Sequence, residues 1–368
     1  MKKTLVAMAA LAVVGAASAQ STVTLYGKID WTLQNATQST AGVKTATGNV
    51  GPQVNSAGLS GSRWGMKGSE DLGGGMKAVF QLESGINVDK GSSAQGGLLF
   101  GRQAYAGLAG GFGQITAGRQ YSPIDTVWGT YDAQGYTTNS AMNYAWNKGT
   151  HAEPGRIDDS LLYTTPSMGG FSGQIMWAPG ENKNPVTNQS AGSYTGFLIG
   201  YANGPIGLHL GYENIKTTTG NNAAGALAGT TSATTGVFTP AAATVAGSAS
   251  VRDWTVGAAY DMGVAKLYGG YQAATRTGGA DDKGWMLGVG VPMGAMSFNV
   301  GYARETHDNN TAFDGKSSSF AGQVVYSLSK RTNLYADFLT GKTRAAAAAA
   351  GAPTTKNTLY GVGMRHDF

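Results

Sequence analysis

Residues 76–88 read Met-Lys-Ala-Val-Phe-Gln-Leu-Glu-Ser-Gly-Ile-Asn-Val, and this stretch decides the fold class. Apolar side chains recur at every second position except Ser84. The positions between them include the polar residues Lys77, Gln81, Glu83 and Asn87. A period of two places the two sets on opposite faces of a β-strand.

Sixteen segments of this kind follow one another from residue 21 to the end of the chain, the second at 58–69 and the fourth at 97–109. Short connections such as Gly110-Gly111 alternate with long ones such as 121–155. An even strand count with this alternation is typical of bacterial outer-membrane barrels, whereas a β-sandwich in a single chain has only a handful of strands. We therefore predict an all-β fold, a sixteen-stranded antiparallel transmembrane β-barrel with short periplasmic turns and long extracellular loops.

Composition agrees with a barrel and excludes several classes of protein. The chain holds 58 glycines and no cysteine among 368 residues, and its mean hydropathy is -0.16. Glycine at this level disfavours helices, and a barrel hides its apolar residues by alternation. The formal charge is +5, without a basic run of the kind that a phosphate backbone requires, so no nucleic-acid partner is predicted.

The N-terminus has the three parts of a secretory signal. Lys2 and Lys3 precede an apolar run from Leu5 to Ala17, and Ala17-Ser18-Ala19 resembles a cleavage site. The run is shorter than the about 20 residues that a spanning helix needs. We predict a signal peptide at 1–19 and a barrel domain at 20–368.

Enzyme motifs are unconvincing. The four histidines, at 151, 209, 307 and 366, lack metal-binding spacing, and no Gly-x-Ser-x-Gly motif presents a nucleophile. The sequence predicts no catalytic residue, no metal site and no cofactor.

Strand parity places basic residues on the inner face of the first six strands. Charges on the lipid face of a barrel cost about 2–4 kcal/mol at the midplane, so an inward direction is expected. These basic residues are Lys28, Arg63, Lys67, Lys77, Arg102, Arg119 and Arg156. From spacing alone they either coat a wet lumen or form a ring that selects ions.

The connection 121–155 is long and rich in aromatic residues, and it carries acids at Asp125, Asp132 and Glu153. A loop of this length is usually functional or disordered, and its aromatic content favours packing. It either lies outward or folds inward and narrows the pore; both remain open at this point.

Several motifs resemble those of Gram-negative general diffusion porins. They are Gln20-Ser-Thr-Val-Thr-Leu-Tyr-Gly27, Ser60-Gly-Ser-Arg-Trp-Gly-Met-Lys-Gly-Ser-Glu-Asp-Leu-Gly-Gly-Gly75, Gly101-Arg-Gln-Ala-Tyr-Ala-Gly-Leu108 and the C-terminal Gly361-Val-Gly-Met-Arg-His-Asp-Phe368. The resemblance spans the whole chain. It implies a homotrimer in the outer membrane, in contact with lipid and lipopolysaccharide, with one pore per subunit for small ions and hydrophilic solutes.

The resemblance also implies site residues. The third loop would fold inward, and acids on it, here Asp125 and Asp132, would face a basic wall formed by Lys28, Arg63, Arg102 and Arg156, with Arg119 nearby. Phe368 would serve as the assembly signal. Many relatives carry Pro-Glu-Phe-Gly-Gly, preceded by an acid, in this loop, whereas this chain reads Tyr136-Thr-Thr-Asn-Ser-Ala-Met-Asn-Tyr144. A constriction that lacks those acids should be net positive.

The sequence therefore predicts a passive porin with a preference for anions. The runner-up is a substrate-selective channel for organic or phosphorylated anions, which saturable flux would distinguish. A third reading is a surface protein whose loops bind partners, which a failure to conduct would favour. A hydrolase is the weakest reading.

Overall fold

The alternating segments pair edge to edge in a closed antiparallel sheet. The computed structural model describes residues 22–44, 50–146, 155–180, 182–184, 189–218, 229–231, 238–240, 248–277, 281–308, 314–344 and 352–368. Within these residues, sixteen long strands form the barrel, and β1 closes it by pairing with β16 from Lys28–Asp367 to Thr40–Thr355. The predicted signal peptide, residues 1–19, lies outside the described ranges, and so do His151 and Glu153.

The barrel strands are β1 (Thr22–Thr40), β2 (Arg63–Gly73), β3 (Met76–Asn87), β4 (Gln103–Gly110), β5 (Gly113–Tyr121), β6 (Arg156–Thr164), β7 (Phe171–Ala178), β8 (Tyr194–Asn203), β9 (Ile206–Thr218), β10 (Ser248–Asp261), β11 (Lys266–Arg276), β12 (Asp281–Met293), β13 (Met296–Asp308), β14 (Gly315–Ser327), β15 (Thr332–Arg344) and β16 (Thr354–Asp367). The helices are α1 (Pro123–Tyr131) and α2 (Ala141–Trp146), with a 3₁₀ turn at Gln95–Gly97. Short strands lie at Val43–Lys44, Val50–Ser56, Ser92–Ser93, Asn182–Asn184, Gln189–Ala191, Gly229–Thr231 and Phe238–Pro240.

Burial follows the predicted alternation. On β12, Trp285 and Leu287 are 41% and 60% exposed on the outer face, whereas Asp282 and Met286 are buried on the inner face. The outer face is apolar and suits contact with lipid, whereas the inner face carries the polar residues and suits contact with water. No helix in the described part of the chain is long and apolar enough to cross a membrane.

The second strand differs from the prediction. We expected a strand over 58–69, but β2 begins at Arg63 and Val50–Ser56 pairs separately with β1. The backbone N–H groups of Gly58, Leu59 and Ser60 donate to the buried Asp30 carboxylate at 3.2, 2.9 and 2.7 Å. These donors are bound to a side chain instead of a neighbouring strand, so the ladder is interrupted there. The fourth strand begins at Gln103 rather than at 97, and residues 95–97 form the 3₁₀ turn.

The third long loop lies against the inner face of the far wall. Helix α1 begins with Ser122 as its N-cap, whose Oγ accepts from the Asp125 N–H at 3.1 Å, and packs on β9 and β10. Helix α2 packs on β13, β14 and β15. Between loop and wall lies the main cluster of buried apolar residues, which includes Ile124, Trp128, Tyr131, Met142, Trp146, Met286 and Leu339.

Two contacts hold the third loop against the inner face of the barrel wall. The Trp128 Nε1 atom donates to Thr255 Oγ1 on β10 at 3.0 Å. On β12, a Cβ atom at Gly284 would lie 2.7 Å from the indole nitrogen of Trp146. A glycine is required there because any side chain would displace the ring that covers it.

Candidate pore constriction

Three arginines, Arg63, Arg102 and Arg156, lie close together at the starts of three barrel strands, each of which follows a long loop. Arg63 and Arg156 are the first residues of β2 and β6, and Arg102 directly precedes β4. The hydroxyl of Tyr121, the last residue of β5, accepts from Arg102 Nη2 and from Arg156 Nη2, each at 2.5 Å. The Arg156 guanidinium also lies 4.3 Å from the centroid of the Tyr121 ring. Tyr121 therefore holds two like charges side by side.

A buried acid on β3 supports the same cluster. Glu83 Oε1 accepts from Arg102 Nε at 2.6 Å and lies 3.6 Å from Arg63 Nη1, while Glu83 Oε2 accepts from the Tyr26 hydroxyl at 3.0 Å. The Glu83 side chain is only 4% exposed. Charge-assisted bonds in such a dry place are strong and fix geometry. The carboxylate thus fixes the arginines of β2 and β4 in place and offsets part of their charge.

The arginines face the third loop across a cavity of about 520 Å³. From the wall, the cavity is lined by the three arginines and Tyr121. From the loop, it is lined by Asp125, Gly129, Gly135, Tyr136, Thr137, Thr138 and Asn143. Asp125 is the one ionisable carboxylate among these described loop residues, so the cavity has a strongly basic side and a nearly neutral side.

Asp125 is an unusual carboxylate. Burial raises its pKa from the ordinary value to about 6, although Arg156 and Arg102 act to lower it. An acid with this pKa loses its charge between neutral and mildly acidic pH. The net charge around the cavity therefore becomes more positive as the solution is acidified.

Two predicted wall residues lie outside the lining of this cavity. Lys28 is on β1, in register with Arg63, and its Nζ lies 3.8 Å from Asp367 Oδ1. Arg119 bonds the Gly101 carbonyl oxygen at 2.8 Å and Asp158 Oδ1 at 2.5 Å. The strand register shifts between Gly118 and Gln120, so Arg119 lies at a bulge and not in the regular ladder.

Asp132 also differs from its expected position. Its carboxylate accepts backbone N–H groups of Gln134 at 3.2 Å and Tyr136 at 2.9 Å, and the residue is 4% exposed. Burial raises its pKa, and these bonds oppose the rise. Asp132 holds the turn after α1 and lies outside the lining of the cavity.

Phe368, the predicted assembly signal, completes the closing seam of the barrel. Its backbone exchanges two hydrogen bonds with Gly27, both at 3.0 Å. A side chain at Gly27 would overlap the Phe368 ring. The last residue is thus held on β1.

Sequence reasoning missed Glu83 and Tyr121 as members of the cluster. Parity gave Glu83 an inward direction, but only the pairing of Glu83 with Gln103, next to Arg102, brings acid and base together. Tyr121 was read as part of the loop, and it is the last residue of β5.

Comparison with known proteins decides the family. A family model described as Gram-negative porin matches residues 4–346. The chain belongs to the Gram-negative porin family. This porin is 34% identical over 385 residues to Outer membrane porin protein 32 of Delftia acidovorans, with the full length of both chains covered.

Solved structures agree with this placement. The porin is similar to the anion-selective porin from Comamonas acidovorans, with 30% identity, a TM-score of 0.74 and coverage of 95% of this chain and 100% of that one. It shares the fold of the trimer form of OmpT from Vibrio cholerae at 15% identity, with a TM-score of 0.67 and coverage of 95% and 99%. The predicted family, barrel fold and outer-membrane location are confirmed, and the protein is a channel rather than an enzyme.

Proposed function

We propose that this porin passes small hydrophilic solutes by diffusion and prefers anions. One observation carries the proposal: three guanidinium groups converge on a single cavity, and two carboxylates, Glu83 and Asp125, lie near them. A fixed excess of positive charge in a narrow passage raises the local concentration of anions and lowers that of cations. The relation to a porin named as anion-selective supports the same sign.

Liposome swelling tests the proposal with solutes of matched size. Proteoliposomes that contain the purified porin should swell faster in a small dicarboxylate than in a diamine of equal length. A neutral sugar of similar size should give an intermediate rate. Equal rates for all three would contradict the anion preference, and no swelling in any of them would contradict diffusion.

The alternative is a substrate-selective channel for organic or phosphorylated anions. The observation in its favour is that Arg102 and Arg156 share one acceptor, which places two charges where a single carboxylate or phosphate could contact both. Flux of such an anion that saturates with concentration would favour this alternative. A linear dependence would favour diffusion.

We further propose that the porin is a homotrimer in contact with outer-membrane lipid and lipopolysaccharide. The outer face supports this, because Val23, Leu25, Ile175 and Leu287 are each about 60% exposed and need an apolar neighbour. The trimer form of OmpT shares the fold. Sedimentation in a density-matched detergent measures the mass, and a monomer would contradict the proposal.

Export and assembly complete the proposed function. Cleavage after residue 19 would leave Gln20 at the mature N-terminus, which N-terminal sequencing of outer-membrane protein tests. Phe368 would act as the assembly signal, since its position on β1 closes the barrel. Phe368→Ala should lower the yield of folded protein in the outer membrane, and an unchanged yield would contradict that role.

A further inference from the structure

A second cluster of ionisable side chains lies on the opposite wall from the arginines. Glu305 and His307 are two residues apart on β13, so both side chains point to the inner face. Asp282 on β12 is the register partner of His307. One nitrogen or oxygen of each residue lies within 4.8 Å of those of the other two, and all three residues are buried.

The imidazole of His307 is oriented by its neighbours. Its Nδ1 atom lies 2.8 Å from Asp282 Oδ1, and its Nε2 atom lies 3.6 Å from Glu305 Oε2 and 3.2 Å from Ser317 Oγ. A histidine that donates from one ring nitrogen to a carboxylate leaves the other nitrogen as a lone-pair donor. Metal-bound histidines in proteins have this arrangement.

The distances suit a small transition-metal ion. Zinc binds imidazole nitrogen and carboxylate oxygen at about 2.0–2.2 Å, in tetrahedral geometry. Two ligand atoms around such an ion are then roughly 3.4 Å apart, close to the 3.6 Å between His307 Nε2 and Glu305 Oε2. A hard ion such as Ca²⁺ prefers six to eight oxygen atoms, which this cluster does not supply among the described residues.

A fourth side chain gives independent support. Gln272 on β11 is fully buried, and its Nε2 donates to Glu305 Oε1 at 2.6 Å. Its Oε1 atom accepts no hydrogen bond within the described part of the chain. A buried amide oxygen without a donor is costly. Amide oxygen is a common cation ligand, so a cation within reach of this atom would satisfy it.

We infer that Glu305 and His307 form a binding site for a divalent transition metal of the zinc class, with Asp282 as the orienting partner of His307. Glu305 Oε2 and His307 Nε2 bind the ion directly, and Gln272 or Ser317 is placed to add an oxygen ligand. The site lies beside Gly284, which is the register partner of Glu305 and is covered by Trp146 of the third loop. A metal there would stiffen the wall on which α2 rests.

Calorimetric titration with Zn²⁺ tests the inference on the full-length porin, purified without a histidine tag and treated with a chelator. We expect one Zn²⁺ per chain, and no comparable binding of Ca²⁺. His307→Gln should weaken Zn²⁺ binding by more than about 100-fold, whereas Asp282→Asn should weaken it by about 10–100-fold, the usual cost of an orienting partner. His366→Gln is the matched control, because His366 is exposed and bonds Thr332, and it should bind as the parent does.

A second measurement does not depend on the His307 variant folding. In a background that carries His151→Gln, His209→Gln and His366→Gln, which leaves His307 as the one histidine of the chain, bound Cu²⁺ should give an electron paramagnetic resonance spectrum with coupling to a single imidazole nitrogen. Absence of Zn²⁺ binding by the parent would overturn the inference. Equal affinity in His307→Gln, or a copper spectrum without nitrogen coupling, would overturn it as well.

Discussion

Arg102 and Glu83 form a buried ion pair at the centre of the constriction, with Arg102 Nε 2.6 Å from Glu83 Oε1. The same oxygen lies 3.6 Å from Arg63 Nη1, so one carboxylate serves two guanidinium groups. This shared carboxylate explains how like charges are held together at the surface of a wet pore. It also sets the size of the positive excess that an ion meets.

Glu83→Gln should increase the anion preference and lower stability. The glutamine removes one negative charge and leaves the Arg63 and Arg102 charges less compensated. We expect the anion-to-cation permeability ratio to rise roughly threefold, the effect of a unit charge at about 6 Å in water at about 0.15 M salt, where screening roughly halves the interaction with each ion. Breaking a buried pair should cost about 3–5 kcal/mol, measured by thermal unfolding in detergent. An unchanged permeability ratio would show that Glu83 does not act on permeating ions.

Arg156→Glu should move selectivity toward cations. The change removes one positive charge from the lining of the cavity and adds one negative charge, so at about 0.15 M salt we expect the permeability ratio to fall by about tenfold. Arg119→Glu is the matched control, because Arg119 bonds Asp158 and lies outside that lining. Its reversal potential should move much less, and an equal shift in both variants would refute the assigned positions.

Selectivity should depend on pH through Asp125. Since its pKa is raised to about 6, the carboxylate is mostly charged at pH 8 and mostly neutral at pH 5. Acidification therefore removes a negative charge, and the anion preference should rise by roughly threefold over this range. Asp125→Asn should hold the preference at its acidic value throughout. A parent without pH dependence, or a variant that keeps it, would contradict the raised pKa.

Trp128→Ala should loosen the third loop. The indole is buried between α1 and the wall and bonds Thr255, so its loss should cost about 3–5 kcal/mol of packing at that contact. We expect altered single-channel conductance and more current noise, because the loop leaves its position more often. Trp254→Ala is the control, since Trp254 is 47% exposed on the outer face, and its conductance should match the parent.

Strand parity predicted most of the barrel, because a period of two is a local property and lipid penalises charge on the outer face. Parity fails where the ladder is broken. Asp30 binds the backbone at 58–60 and delays β2, and the register shifts at Arg119. Neither event has a local sequence signal.

The candidate site was predictable in part. Arg63, Arg102, Arg156 and Asp125 were named from parity and family resemblance, and the structure brings them to one cavity. Asp132 could not be separated from Asp125, because its bonds to the loop backbone depend on how the turn folds. Asp282 lies more than twenty residues from Glu305 and His307, so only strand register reveals that cluster.

The most direct test is the reversal potential of the parent porin in a planar lipid bilayer across a KCl gradient at neutral pH. Three arginines near two acids, Glu83 and Asp125, should make the pore anion-preferring, so the reversal potential should shift from zero toward the equilibrium potential of chloride. The triple variant Arg63→Gln, Arg102→Gln and Arg156→Gln should bring it to zero or to the potassium side. A parent potential on the potassium side would contradict the constriction described above.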